Sequence, residues 1–155
     1  MKIYIGSDHR GFHLKEFLKE RLKKHNHNYE VIDEGAFEYD PNDDYPLFAF
    51  RVGERVASNE NSRGILLCGS GAGVCIAANK VKGVRALMSK DPEIVKMARR
   101  DDDVNILCLP SDFVSQELAW ELVEIFLSTD FEPAERHIRR IKQIENYEKG
   151  SGTSN

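Results

Sequence analysis

Ile65-Leu66-Leu67-Cys68-Gly69-Ser70-Gly71-Ala72-Gly73 is the stretch that decides the fold. An apolar run of strand type ends in a thiol. Glycines follow at alternate positions, and Val74-Cys75-Ile76-Ala77-Ala78-Asn79-Lys80 then takes on helical character. A strand passing through a glycine-rich turn straight into a helix is the building unit of a parallel α/β sheet. Backbone N–H groups at a helix start can hold an anion, and a thiol beside them is biased toward the thiolate. Two readings of Cys68 therefore stand side by side. It is a nucleophile or base next to an oxyanion site, or it is a strand cysteine packed as a small hydrophobe.

The same alternation extends in both directions. Strand-like runs fall at 3–6, 29–33, 64–68, 84–88 and 105–109, and helical patterns at 12–24, 45–58, 94–100, 113–127 and 133–147. Within 12–24 the apolar residues Phe12, Leu14, Phe17, Leu18 and Leu22 follow helical spacing. In the last helix Ile138, Ile141 and Ile144 recur every three residues, with a polar remainder for solvent or a partner. These elements predict a Rossmann-like, three-layer α/β/α sandwich with a five-stranded parallel sheet. Ligands of such sheets bind beyond the carboxyl ends of the strands. Ser7-Asp8-His9-Arg10-Gly11 and the Cys68–Gly73 turn both fall there. Asn42-Asp43-Asp44 reads as a turn leading into a helix.

The chain of 155 residues is long enough for one domain with a real core, assigned to residues 1–149, with 150–155 as a flexible tail. A net charge of -4 argues against non-specific nucleic-acid binding. The three cysteines, Cys68, Cys75 and Cys108, are an odd count in apolar contexts, which suits a reducing, cytoplasmic setting. The start Met-Lys-Ile-Tyr-Ile-Gly-Ser-Asp is no secretion signal, and no apolar run has membrane-spanning length.

Several residues could carry chemistry. Asp8 follows the first strand, where a carboxylate can cap the next helix, serve catalysis, or do both. His9, beside Asp8, Arg10 and Gly11, reads as a ligand contact. Gly69, Gly71 and Gly73 do not form a dinucleotide fingerprint. The third glycine comes one position early, and the run follows the third strand rather than the first. Arg136 and Arg140 share a helix face with His137 alongside, which suits a phosphate or a solvated basic face. Asp101-Asp102-Asp103 closes the fourth helix, where acids oppose the helix dipole. No His, Cys and Asp set has metal-ligand spacing, so no metal is expected.

Taken together, these motifs resemble the type B ribose-5-phosphate isomerase family, which includes the galactose-6-phosphate isomerase subunits. The resemblance runs from Met1 to Tyr147. It is carried by G-S-D-H-R-G-F from Gly6, D-Y-P from Asp44, G-I-L-L-C-G-S-G-A-G from Gly64 and A-A-N-K from Ala77. G-V-R-A from Gly83, D-V-N-I-L from Asp103 and E-R-H-I-R-R-I from Glu135 complete it. The resemblance implies cofactor-free aldose–ketose isomerisation of a sugar phosphate through an enediolate, with ribose 5-phosphate and ribulose 5-phosphate the leading pair. It makes Cys68 the base, since Val74 stands where another branch carries a glutamate. Ser70 with the Gly71 and Gly73 amides would stabilise the enediolate oxygen. Asp8, His9, Tyr45, Arg136 and Arg140 fall at positions implied to contact the sugar or its phosphate, and Gly69, Asp102 and His137 are further substrate-binding candidates beside these motifs.

The sequence departs from that pattern twice. Asp101 stands where the family carries a ring-opening histidine, and Asp112 where it carries a phosphate-binding arginine. Asp101 could donate a proton to the ring only if protonated, and Asp102 and Asp103 are expected to favour that form. Loss of the histidine also suits a tetrose 4-phosphate, whose ring-forming hydroxyl is blocked. A hexose 6-phosphate substrate and a silent sugar-phosphate-binding subunit are the other readings. The end of the fourth helix belongs at the amino edge of the sheet, opposite Asp8 and Cys68. The expected assembly is therefore a homodimer or dimer of dimers with a shared site.

Overall fold

The computed structural model describes residues 1–152. Five strands, β1 (Lys2–Ser7), β2 (Glu30–Asp33), β3 (Ser62–Cys68), β4 (Ala86–Met88) and β5 (Ile106–Pro110), form one sheet in the order β2-β1-β3-β5-β4. Every pairing is parallel. Helices α1 (Phe12–His25), α2 (Tyr45–Ala57), α3 (Ala72–Ala78), α4 (Pro92–Asp102), α5 (Gln116–Ser128) and α6 (Glu135–Glu148) complete the chain. The expected architecture and element order are present.

The strands alternate strictly between two cores. Ile3, Ile5, Ile65, Leu67, Leu107 and Leu109 face a layer of α1, α4 and α5, with Leu18, Leu22, Val95, Leu122 and Phe126. Tyr4, Leu66, Cys68, Ile106 and Cys108 face α2 and α3, with Ala49, Val52, Val74 and Ala77. This period of two follows from the pleat, and burial on both faces explains why the strands read as continuous apolar runs. Phe126 is fully buried, so Phe126→Ala removes about 3–5 kcal/mol of stability.

Some boundaries differ from expectation for local reasons. The fourth helix begins earlier than 94, because Asp91 accepts from Glu93 N at 2.9 Å and Pro92 takes the first helical position. The fifth begins at Gln116 rather than 113, because Ser115 caps it through Leu118 N at 3.1 Å. Gly150 and Ser151 belong to the end of α6. Gly150 N donates to Tyr147 O at 3.0 Å and Ser151 N to Asn146 O at 3.1 Å, with Gly150 at φ 86°. That is the paired bonding of a Schellman cap. Of the tail assigned to 150–155, residues 153–155 lie outside the described residues.

Among the described residues, two cations are fully buried. Lys15 of α1 donates to Asp33 Oδ2 at 2.7 Å and Ala36 O at 2.6 Å. Arg99 of α4 donates to Asp103 Oδ1 at 2.8 Å, Val104 O at 2.5 Å and Thr129 O at 3.2 Å. Burial alone would raise the Asp33 carboxyl, but the hydrogen bonds from Lys15 and Lys19 outweigh it and hold it below the ordinary range.

Candidate active site

The sheet order places a topological switch between β1 and β3. From β1 the chain crosses outward to β2, whereas β3 pairs on the other side of β1. Open α/β sheets bind ligands at this point. A cavity of about 510 Å³ lies there, lined by Asp8, Arg10, Tyr45, Cys68, Gly69, Ser70, Gly73, Asp112 and Phe113.

Backbone bonds lock its walls. Asp8 N donates to Leu67 O at 3.3 Å, Ser111 N to Cys68 O at 2.9 Å and Asp112 N to Gly69 O at 3.0 Å. Cys68 ends β3 and is buried. Gly71 has φ 73°, so the turn into α3 uses a left-handed conformation that a side chain would strain. The Tyr45 ring lies against Gly73, 2.8 Å from where a Cβ would stand. Ser70 is exposed, and its Oγ accepts from Ala72 N at 3.3 Å.

Asp8 does not cap α1, whose first turn is preceded by Gly11 without a side-chain cap. Its Oδ1 instead accepts from Arg10 N at 3.0 Å and Gly11 N at 3.2 Å. Burial raises the Asp8 carboxyl above its ordinary range despite the Gly11 bond and the nearby His9. His9 stands beside the cavity, clasped by Asp43. Its backbone N and ring Nδ1 both meet Asp43 Oδ1, at 2.9 and 2.7 Å.

The remaining site candidates lie elsewhere in this chain. The end of α4 is at the amino edge, where Arg85 Nε donates to Asp102 O and Asp103 O, both at 3.1 Å. Asp101 does not fit the expected protonated acid. Arg100 donates to it at 2.6 Å and holds its carboxyl below the ordinary range, with His137 and Arg136 adding to the effect. Repulsion from Asp102 and Asp103 is not what governs Asp101, since Asp103 is paired with Arg85 and Arg99. His137 is buried, with Nδ1 2.9 Å from Glu132 O and Nε2 3.7 Å from Asp101 Oδ1. Asp101, Glu132 and His137 bring their ligand-type atoms within 4.8 Å of one another, a grouping that sequence spacing did not reveal. Arg100 already pairs with these acids, donating to Asp101 and standing 3.8 Å from Glu132. Arg136 and Arg140 are exposed on α6, and Arg140 borders a separate cavity with Asn79, Lys80, Ile144 and Tyr147.

Two features escaped the sequence reading. Arg10 lines the Cys68 cavity and donates to Asp112. Cys75, one of the three cysteines in apolar sequence contexts, is half-buried, and a hydrogen bond with Cys108 lowers its thiol to about 7 against the effect of burial. Its Sγ is 3.6 Å from both Ala86 O and Asn79 Nδ2, and it is not on the cavity wall. Cys108 is fully buried and its thiol is pushed up, as a packing residue requires.

A thiol, a buried carboxylate and an exposed hydroxyl at the switch point of a parallel sheet define an enzyme of the α/β sandwich class. The family model described as Ribose/Galactose Isomerase matches residues 3–144. The chain belongs to that family and is an aldose–ketose isomerase. It is 45% identical over 147 residues to a probable ribose-5-phosphate isomerase B of Mycoplasma pneumoniae, covering 95% of each chain. The ribose-5-phosphate isomerase B of Mycoplasma genitalium, solved with bound ribulose-5-phosphate, superposes with a TM-score of 0.90 at 46% identity over 96% of each chain. The type B ribose 5-phosphate isomerase of Trypanosoma cruzi superposes with a TM-score of 0.91 at 39% identity, covering 97% of this chain and 99% of that one. No helix among the described residues is long and apolar enough to cross a membrane.

Proposed function

We propose that this enzyme interconverts ribose 5-phosphate and ribulose 5-phosphate, with Cys68 as the proton-transfer base. The observation that carries the substrate is the ribulose-5-phosphate bound to the Mycoplasma genitalium relative, which matches this chain over nearly its whole length. The position of Cys68 on the cavity wall supports its role. In the open-chain aldose, the Cys68 thiolate takes the C2 proton. The electron pair forms the C1–C2 double bond, and the negative charge passes to O1. Ser70 and the amides of Gly71 and Gly73 stabilise this enediolate. The hydroxyl proton moves from O2 to O1, the thiol returns its proton to C1, and C2 becomes the ketose carbonyl.

Asp8 and Cys68 occupy the carboxyl edge of the sheet, and Asp101 the amino edge. One chain does not bring both to one sugar, so Asp101, Arg136 and Arg140 reach the site from the second subunit of a homodimer, with the buried His137 standing behind Asp101. Held ionised by Arg100, Asp101 accepts the anomeric hydroxyl proton during ring opening, and as the C1–O4 bond breaks the ring oxygen takes its proton from solvent water rather than from Asp101. Mixing Cys68→Ser subunits with an impaired Asp101 variant tests the sharing. Recovered activity in exchanged dimers is expected, and none despite verified exchange contradicts it.

The ionised state of Asp101 also favours a second reading, a tetrose 4-phosphate isomerase, which needs no ring-opening acid. An assay over tetrose, pentose and hexose phosphates in heavy water decides between them. Ribose 5-phosphate should give the highest kcat/KM. A faster tetrose 4-phosphate overturns the pentose assignment, and no turnover at all indicates a silent binding subunit.

A further inference from the structure

The Cys68 cavity contains two carboxylates, Asp8 and Asp112, and among its lining residues one cation, Arg10. Lys90 stands outside the lining, 6.0 Å over the Phe113 ring. Without Arg10, the walls that this chain itself supplies would present only negative charge to a phosphorylated substrate. Arg10 sits on the turn between β1 and α1, and Asp112 on the turn after β5. The Arg10 Nη2 donates to Asp112 Oδ2 across 102 residues of sequence.

The pair is seated on Gly69, the residue after the thiol. A Cβ at Gly69 would stand 2.6 Å from Arg10 Nε, 2.7 Å from Cζ and 2.9 Å from Asp112 Oδ2. The bare glycine backbone is therefore what lets the guanidinium lie beside Cys68. The Arg10 side chain is 58% exposed and that of Asp112 is 33% exposed. An ion pair so open to solvent adds little stability, which leaves its place at the cavity mouth to be explained. A guanidinium has five N–H donors in a fork that matches phosphate oxygens, and among the described residues one side chain, that of Asp112, engages it.

We propose that Arg10 binds the substrate phosphate in the Cys68 cavity and that Asp112 positions its guanidinium there. The inference rests on the sugar-phosphate reading above and adds a specificity-determining residue to it. It also accounts for the acid at Asp112, where the resemblance implies a cation. The positive charge has moved from the β5 turn to the β1 turn, and the carboxylate now holds it in place.

The test compares wild type, Arg10→Ala, Arg10→Lys, Asp112→Ala and the double variant Arg10→Ala/Asp112→Arg. Each is measured for turnover of ribose 5-phosphate and for competitive inhibition by inorganic phosphate, with thermal unfolding as the check on folding. Arg10→Ala should raise KM and the phosphate inhibition constant by about tenfold or more, on the scale of one charged contact, with kcat changed far less. Arg10→Lys should be intermediate, because it keeps the charge and loses the fork. Asp112→Ala should raise KM less than Arg10→Ala, and the double variant should recover phosphate affinity relative to Arg10→Ala alone. A structural role would move the unfolding midpoint and would not be rescued by the exchanged pair. A folded Arg10→Ala enzyme with unchanged KM and phosphate inhibition, beside an active wild type, overturns the proposal and leaves the sugar-phosphate reading intact. A wild type inert on every sugar phosphate and blind to inorganic phosphate overturns both.

Discussion

The Asp8 carboxylate and the Cys68 thiol stand at the ends of adjacent parallel strands and border one cavity. The register Ser7 to Leu67 sets them side by side, and Asp8 N donates to Leu67 O at 3.3 Å. Both are 5% exposed. Neither position is fixed by a loop alone. Each follows from where a central strand stops, so the geometry between the two is as rigid as the sheet.

Asp8→Asn should stabilise the fold near neutral pH while lowering turnover. The folded carboxyl is raised by burial. A raised acid contributes stability below its unfolded value of about 3.9, and this is lost as pH rises through the folded value. Asparagine keeps the acceptor for Arg10 N and Gly11 N and removes the buried charge. A higher unfolding midpoint at pH 7 with reduced kcat is the expected result. A lower midpoint would show that the carboxylate stabilises the fold.

The strands and the thiol turn were legible in the sequence because each leaves a local signature, an apolar run or a glycine cluster. The Arg10–Asp112 pair was not, because it joins turns 102 residues apart. Lys15 falls within a helical pattern read from Phe12, Leu14, Phe17, Leu18 and Leu22, and its full burial depends on Asp33 and Ala36 in the next strand and loop. The ionisation of Asp101 was misjudged because its sequence neighbours are acids, whereas its spatial partner is the guanidinium of Arg100. The acidity of Cys75 depends on Cys108, which the β5 strand brings under α3.

Acid should unfold the α1–β2 contact early. The Asp33 carboxyl is held low in the folded protein by Lys15 and Lys19. Its contribution is present above the unfolded value of about 3.9 and is lost as pH falls through the folded one. Lys15→Met should abolish part of that acid dependence and cost up to about 3–5 kcal/mol if Lys19 fails to compensate. Denaturant unfolding at pH 3 to 7 checks this, and an unchanged acid limb in the variant would contradict it.

Cys75 should alkylate with a pH midpoint of about 7. Iodoacetamide rates, followed by peptide mapping on otherwise native protein, measure it. Cys108→Ala should move the midpoint up by removing the hydrogen bond that favours the thiolate. A wild-type midpoint at or above the ordinary thiol value of about 8.5 would contradict the contact.

Arg136→Ala and Arg140→Ala should each weaken binding of phosphorylated sugar by about 2–5 kcal/mol if the second subunit buries the contact. Binding of the unphosphorylated sugar should change little. Equal losses for both sugars would mean that these arginines do not read the phosphate.

Cys68→Ser, compared with Cys75→Ala and Cys108→Ala, puts the catalytic assignment to its most direct test. The measurement is ribose 5-phosphate isomerisation in heavy water, reading both turnover and deuterium entering at C1 and C2. Cys68→Ser should lose turnover and exchange together while still binding the sugar phosphate, and the other two variants should retain most of the rate. Near-normal turnover or exchange in Cys68→Ser would contradict its role as the base.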